Sequence, residues 1–453
     1  MKKTILLLVI TIFGFWLVFL SLQNEKIYTN TLGIVSKNWQ NINGERKLVN
    51  KPYSKLTNSN FIHWDAAHYK LIKEYGYNIK KSGGDYIYAF FPLFPAIWKL
   101  FSLPPIGVIF LNYIFISLSI IILLSIFSSS KHYIRDVLIA LSFPSIIIFL
   151  IPYTEATYFL MISIGVWGMI KNKYWVFFVG LFLASLTRPS FTFLFLSIIG
   201  VELFLLMQHK MRLVFFKNLF FNTLPLIIGT LVVSGIQLLQ GSGHPFKFIQ
   251  VQKYWSNILS MPHNLRDWSH EGFAINIGVI FLVFTPIIII VAQLIYKQFL
   301  LKQKTIFRHK DLKSYTILLS IIYILGNALF IILFRGGSLH CLFRFTLSSP
   351  FAFILLFGAF NYIKKASFDI RFFGLASLAF VSIFVLGLAN YSTYWNFSDL
   401  GLFILIIALG LWLFQDLYNS IFYKTVLYLN YSLNIVWTTY LFNTYINNGW
   451  IFA

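Results

Sequence analysis

The chain has 453 residues, of which 58% are hydrophobic and only 11% are charged, and its mean hydropathy is +0.75. Soluble globular domains contain about 25% charged residues, so this composition excludes a soluble enzyme, a disordered protein and a secreted disulfide scaffold. The formal net charge of +22 would suggest nucleic acid as the partner of a soluble protein. In a chain this apolar, basic loops at an anionic membrane face explain the charge better, and no nucleic-acid partner is expected. The single cysteine, Cys341, excludes a disulfide framework and a cysteine-based zinc site.

Hydropathy predicts an all-α, polytopic membrane fold in which residues 1–453 form one transmembrane domain. The N-terminus begins Met1-Lys2-Lys3 and continues as an apolar run without a small-x-small cleavage site, so we expect an uncleaved first span. About thirteen spans are expected, since each crossing needs about 20 apolar residues. The predicted intervals are 4–22, 106–127, 134–152, 156–170, 174–187, 190–207, 219–239, 275–296, 314–334, 345–363, 372–390, 400–415 and 425–446.

The Lys and Arg residues of the short loops predict the sidedness, because such residues concentrate on the cytoplasmic side of a membrane. Most of them fall on one side, as in the connection 297–313, when the N-terminus is placed in the cytoplasm. The loop 23–105 is then the largest outer segment, and its aromatic residues at helical spacing predict short amphipathic helices on the membrane surface. A second outer loop spans 240–274, and an odd number of spans places the C-terminus outside.

The first outer loop contains a short motif with a carboxylate and a histidine. Asp65 and His68 lie three positions apart, which places them on one face of the helix predicted for this segment, and Gly76 is a natural stop for that helix. Asp65 falls in the first turn, where the helix dipole favours a carboxylate. Such a pair can act as a general base or hold a phosphate-bearing ligand. The alternative is a helix-capping aspartate beside a solvated histidine.

Two further charged residues are predicted at the outer membrane surface. Glu155 begins the fourth span, where Thr154 could cap the helix and Glu155 could simply complement its dipole. Arg188 lies between the fifth and sixth spans, in a region with few acidic residues. A buried arginine there needs an anionic partner, either a bound lipid phosphate or non-specific headgroups.

The second outer loop and the tenth span supply the remaining candidates. Gln252 and Trp255 share one face of a short amphipathic segment, which could bind a sugar or only anchor the loop to the membrane. His340 and Arg344 fall at the outer edge of the tenth span. All of these candidates gather at the outer side, whereas a transporter or proton relay would place ionisable groups at mid-depth. The distribution therefore favours an enzyme that acts at the outer interface.

Several segments of the sequence resemble the PIG-V family, the GPI mannosyltransferase II type, including its bacterial relatives. The resembling segments are Trp64-Asp65-Ala-Ala-His68-Tyr followed by Gly76-Tyr, Ala89-Phe-Phe-Pro-Leu-Phe-Pro95, Pro152-Tyr-Thr-Glu155, Arg188 and Gln252-x-x-Trp255. The chain departs from the family pattern at His63, where arginine is expected, and at Thr154, where serine is expected. The first departure bears on phosphate or acceptor contacts, and the second is chemically mild.

The resemblance implies a GT-C glycosyltransferase that uses a polyprenyl-phosphate-linked sugar, for this family dolichyl-phosphate mannose, outside the cytoplasm. The expected partners are this donor, a lipid- or glycan-linked acceptor and the membrane lipids. Asp65 is expected to be the catalytic base, assisted by His68. Donor phosphate binding is expected from Arg188, Arg344 and His340, and sugar or acceptor binding from Trp64, Glu155, Gln252 and Trp255.

The expected setting is the plasma (inner) membrane, or the endoplasmic reticulum membrane in a eukaryote, with the site facing away from the cytoplasm. One carboxylate can suffice, since a leaving phosphate needs no acid to protonate it. The sequence requires no cofactor. A divalent metal is possible but not indicated, because Asp65 has no acidic co-ligand nearby in sequence, although Glu155 could approach it in the fold. Two other classes of protein share this hydropathy: a transporter or flippase for a lipid-linked sugar, and a non-catalytic membrane scaffold.

Overall fold

The structure is a computed structural model that describes most of the chain. The described residues are 1–35, 37–42, 45–50, 53, 55–189, 191–209, 212–255, 273–303, 311–334, 339, 341–389 and 397–451. The candidate His340, the side chain of Trp255 and residues 256–272 of the second outer loop lie outside this description.

The regular secondary structure of the described residues is helical apart from one two-stranded antiparallel hairpin in the first outer loop. Its helices are α1 (Lys2–Ser21), α2 (Glu25–Asn30), α3 (Leu32–Val35), α4 (Asp65–Tyr75), α5 (Ile79–Ser82), α6 (Leu93–Leu100), α7 (Pro105–Phe127), α8 (Tyr133–Ser142), α9 (Glu155–Ile170), α10 (Tyr174–Ser185), α11 (Phe191–His209), α12 (Arg212–Leu239), α13 (Lys247–Gln250), α14 (Phe273–Gly278), α15 (Thr285–Phe299), α16 (Leu312–Phe334), α17 (Leu342–Leu347), α18 (Pro350–Gly358), α19 (Phe360–Ile363), α20 (Phe368–Ala389), α21 (Leu400–Leu413) and α22 (Ile421–Ile446). The hairpin pairs β1 (Lys37–Ile42) with β2 (Glu45–Asn50), so the first outer loop is not wholly helical as we expected.

Six helices in the described residues are long and apolar enough to cross a membrane, which fits a multi-pass membrane protein. They are Lys2–Ser21, Pro105–Phe127, Arg212–Leu239, Ala274–Gln298, Leu312–Leu333 and Phe368–Leu388. The helix Ala274–Gln298 joins α14 to α15 through one π-helical segment, Val279–Phe284. Large apolar side chains on the surface of the protein, such as Phe373 and Phe422, are more than half exposed, as contact with lipid would require. The number of thirteen spans and the sidedness stay predictions.

Two of the predicted spans are broken helices, and both breaks occur at the residue before a proline. Phe143 precedes Pro144 and adopts an extended conformation that ends α8. Ser349 precedes Pro350 and is also extended, and its hydroxyl caps the new helix α18 by accepting from the amide of Ala352. Proline disfavours the helical conformation in the residue before it. The predicted intervals 134–152 and 345–363 are therefore each divided.

The break after α8 places the start of α9 inside the protein. Residues 143–154 are buried without forming an α-helix, so their backbone groups need partners within the protein. Asn434 of α22 donates to the carbonyls of Leu141 and Phe143, at 2.7 and 2.8 Å. Asn112 of α7 donates to the carbonyls of Ile151 and Tyr153, at 2.7 and 3.0 Å. These amides allow a segment without α-helix, which includes the 3-10 helix Ile146–Leu150, to lead directly into Glu155.

The first outer loop is fixed on the end of α12. Helix α4 begins at Asp65 and ends at Tyr75, as predicted, and Gly76 follows with a φ of 64°. Only glycine adopts this conformation easily, and a Cβ at Gly76 would lie 2.5 Å from Oε1 of Gln240. That oxygen accepts from the amide of Tyr77 at 2.8 Å, and Gln237 donates to the carbonyl of Tyr88 at 2.8 Å. The loop carrying Asp65 is thus docked on the helical bundle.

Candidate functional site

A cavity of about 320 Å³ lies where α4, α9, α16 and α17 meet. Its polar lining residues include Asp65, Glu155, Arg188, Gln252, Asn327 and Arg344, and its apolar lining residues include Phe193, Phe330, Ile331 and Trp450. The structure therefore brings together five of the residues proposed from the sequence, which come from five separate segments of the chain. The cavity has a charged part and an apolar part, which a ligand with a charged headgroup and a lipid tail would fit.

The charged part is a continuous chain of ion pairs. Arg344 donates through Nη2 to Oδ2 of Asp65 at 2.8 Å, and through Nε to Oε1 of Glu155 at 2.6 Å. Nη1 of Arg188 lies 3.2 Å from the same oxygen of Glu155. Two carboxylates and two guanidinium groups balance in charge, which is what burial of charged groups requires. The order of contacts is Arg188, Glu155, Arg344, Asp65.

The four charged side chains differ in their exposure. The side chains of Glu155 and Arg344 are only 1% and 5% exposed, whereas those of Arg188 and Asp65 are 14% and 25% exposed. Glu155 and Arg344 therefore form the buried middle of this series of ion pairs. Arg188 and Asp65, at its two ends, are exposed enough to contact a ligand. Aromatic rings support the cations, since the guanidinium of Arg344 lies 4.6 Å from the ring of Tyr153 and that of Arg188 lies 5.0 Å from the ring of Phe345.

Asp65 presents one carboxylate oxygen for chemistry. Oδ2 is held by Arg344, and within the described residues Oδ1 accepts no hydrogen bond. Its position depends on Trp64, which precedes the helix with a φ of 52° and a ψ of −126°. A bulky residue rarely adopts a positive φ, and such strain persists only where the surroundings enforce it. The carboxylate is thus oriented by one cation and open on its other side.

His68 shares a face of α4 with Asp65, but no hydrogen bond joins the two side chains in the described chain. The ring of His68 packs against those of Phe90 and Tyr86, with centroids 4.5 and 5.2 Å away. Its Nδ1 is buried without a hydrogen-bond partner in the described residues. Burial lowers the pKa of His68, although the negative charge of Asp65 opposes this effect. In this structure His68 packs beside the site and makes no hydrogen bond to the carboxylate within the described residues, and its assistance to Asp65 stays a prediction.

The segment before Asp65 is held by the C-terminal end of α22, which we did not single out from the sequence. The hydroxyl of Tyr445 lies 3.2 Å from the carbonyl of Phe61 and 3.3 Å from that of His63. The carbonyl of Ile446 lies 3.3 Å from Nε2 of His63. His63, where the resembling family has arginine, thus contacts the last helix and not the cavity. A tryptophan just beyond the last predicted span was a sequence signal for this contribution, because the predicted sidedness places it at the outer membrane surface.

That tryptophan, Trp450, lines the cavity and contacts Trp64 with ring centroids 5.0 Å apart. Trp64 itself is 42% exposed. The two rings therefore extend the site beyond Asp65, at the end of the ion-pair chain opposite Arg188. An aromatic surface of this kind can pack against the apolar face of a ligand.

The second outer loop contributes Gln252 to the cavity, and its amide donates to the carbonyl of Phe248 at 3.1 Å. A separate ion pair holds this loop on the first one. Nζ of Lys247 lies 2.7 Å from Oδ2 of Asp85, and the hydroxyl of Tyr254 donates to Oδ1 of Asp85 at 2.8 Å. Both contacts lower the pKa of Asp85, the hydrogen bond from Lys247 most of all.

No three His, Cys, Asp or Glu side chains in the described ranges lie close enough to hold a metal ion. Arg344 lies between the two carboxylates of the cavity and contacts both. Its guanidinium occupies the place that a shared cation would need.

No family model, curated protein or solved structure matches the chain. The function must therefore be argued from the site itself.

Proposed function

We propose that the protein is a membrane glycosyltransferase of the GT-C kind. It transfers a mannosyl or other hexosyl unit from a polyprenyl-phosphate donor to a lipid- or glycan-linked acceptor at the outer face of the membrane. The observation that carries this proposal is the free carboxylate oxygen of Asp65, in a cavity that also contains two arginines. A base for the acceptor and cations for a leaving phosphate are the two requirements of this reaction.

In the proposed reaction, Oδ1 of Asp65 takes the proton of the acceptor hydroxyl as its oxygen attacks the anomeric carbon of the donor. The bond between that carbon and the phosphate oxygen breaks on the opposite face, so the anomeric configuration is inverted. The electron pair leaves with the polyprenyl phosphate, whose negative charge needs no added proton. One carboxylate is sufficient, unlike the pair used in glycoside hydrolysis.

The contacts favour different roles for the two arginines. Arg344 already donates to two carboxylates, so we assign to it the orientation of Asp65. Arg188 contacts a single carboxylate oxygen and is more exposed to the cavity, so we assign the donor phosphate to Arg188. The apolar lining formed by Phe193 and Phe330 suits the first isoprene units of the donor. Trp64 and Trp450 are then on the acceptor side.

The test is a transfer assay with the purified protein in lipid nanodiscs, using radiolabelled polyprenyl-phosphate mannose and a bacterial lipid extract as the acceptor. We expect Asp65→Asn to lower turnover by about 10²- to 10⁴-fold, the usual contribution of a general base. The matched control is Asp416→Asn, which removes the carboxylate paired with Arg371, neither of which lines the cavity, and it should retain turnover within a few-fold of wild type. A folded Asp65→Asn protein with normal turnover would contradict the proposal. Movement of the donor across the bilayer without a new glycosidic bond would instead identify a flippase.

A further inference from the structure

The C-terminal end of α22 meets the chain immediately before Asp65. The hydroxyl of Tyr445 lies between two carbonyls of this segment, those of Phe61 and His63, and accepts from the amide of His63 at 3.4 Å. Tyr445 is fully buried. A single phenol therefore satisfies backbone groups on both sides of Ile62, and these groups are 382 to 384 positions away in sequence.

The helix end itself adds a second attachment. The carbonyl of Ile446, which has no partner within a helix that ends there, accepts from Nδ2 of Asn60 at 3.2 Å. The same oxygen lies 3.3 Å from Nε2 of His63. Burial lowers the pKa of His63, so the neutral ring can donate to this carbonyl from Nε2. The segment 60–63 is thus tied to α22 through both side chains and backbone.

The residue after this segment is Trp64, whose positive φ turns the chain into α4 and places Asp65 in the first turn. Strain of this kind needs a surrounding structure that fixes the chain on both sides. On the far side the turn is fixed by α4 and the contact of Asp65 with Arg344. On the near side, Tyr445 and Ile446 contact the backbone of Phe61 and His63 and the side chain of His63, directly before the turn.

We propose that Tyr445 is a positioning residue for Asp65. It touches neither the donor nor the reacting atoms, and it acts by fixing the backbone that sets the direction of the carboxylate. This inference rests on the proposed transferase function, in which Oδ1 of Asp65 must meet the acceptor hydroxyl. Displacement of a catalytic group by about 1 Å can lower a rate by about 10²-fold, so a remote hydroxyl can control turnover without contacting the substrate.

The test is Tyr445→Phe, which removes the hydroxyl and keeps the ring contacts with His63 and Tyr153, at 5.6 and 6.1 Å. The matched control is Tyr431→Phe on the same helix. It also removes a tyrosine hydroxyl, which lies 2.7 Å from the hydroxyl of Thr11 in α1 and does not contact residues 60–65. We expect Tyr445→Phe to lower kcat by about 10- to 100-fold with the KM for polyprenyl-phosphate mannose within about twofold of wild type. Tyr431→Phe should change neither constant.

Hydrogen–deuterium exchange supplies a readout that does not depend on turnover. The amides of residues 61–66 should exchange faster in Tyr445→Phe than in wild type or Tyr431→Phe. Unchanged kcat and unchanged exchange in Tyr445→Phe would overturn the inference and leave the transferase proposal intact. If the wild-type protein forms no glycosidic bond, the proposed function fails, and the exchange rates alone then decide whether Tyr445 holds this segment.

Discussion

Nη2 of Arg344 lies 2.8 Å from Oδ2 of Asp65, although the two residues are 279 positions apart in sequence. The same guanidinium contacts Glu155, so one side chain joins the first outer loop to the start of α9. This contact orients the carboxylate in the cavity and leaves its second oxygen open. It also makes Arg344 the residue on which the charge balance of the site depends.

Replacement of Arg344 by methionine should destabilise the protein, because Glu155 and Asp65 would lose a buried cation. Removal of one partner from a buried ion pair typically costs about 3–5 kcal/mol. We expect the lower end of this range, since Arg188 still contacts Glu155. Thermal unfolding followed by intrinsic fluorescence measures the loss. The double variant Arg344→Met/Glu155→Gln should recover part of the lost stability. An Arg344→Met protein as stable as wild type would show that the ion pairs of Arg344 do not stabilise the fold.

Replacement of Arg188 by glutamine should weaken donor binding, since we assign the donor phosphate to this cation. Hydrogen bonds to charged groups contribute about 1.5–3 kcal/mol, so we expect about a 10- to 100-fold rise in the inhibition constant of polyprenyl phosphate. The control is Lys247→Gln, which removes an outer cation that pairs with Asp85. Equal inhibition of wild type and Arg188→Gln would assign the phosphate to another residue.

The stability of the protein should fall on acidification, in part through His68. Burial lowers the pKa of this histidine below its ordinary value of 6.5 in the folded state, so the unfolded chain binds the proton more readily. Its contribution to stability is therefore complete above pH 6.5 and is lost as the pH falls from there towards the folded-state pKa. The variant His68→Phe can keep the packing on Phe90 and Tyr86. We expect it to reduce the drop in melting temperature between about pH 7.5 and about pH 5.5.

A melting temperature that depends on pH equally in wild type and His68→Phe would contradict this expectation. The matched control is His244→Phe, a histidine on the exposed surface of the second outer loop. It makes the same histidine-to-phenylalanine exchange at an exposed position and leaves the packing of His68 on Phe90 and Tyr86 untouched.

The sequence alone determined the helical architecture and the C-terminal end of the helix that carries Asp65. Long apolar runs specify helices in a membrane because every backbone group must be satisfied within its own segment. The conformational freedom of Gly76 fixed the C-terminal end of α4 locally, whereas its start at Asp65 also depends on the tertiary contacts around Trp64. The sequence also named Asp65, Glu155, Arg188, Gln252 and Arg344, since charged and polar residues are conspicuous in so apolar a chain.

Only the tertiary structure decided how these residues are connected. The ion pairs of Arg344 and the hold of Tyr445 on residues 61–63 join segments hundreds of positions apart, and no local pattern encodes such contacts. His68 illustrates the same limit, because its spacing from Asp65 predicts a shared face, while the aromatic rings around it come from another segment. The spacing of residues along a helix determines which side chains share a face. The packing of segments distant in sequence determines which residues those side chains contact.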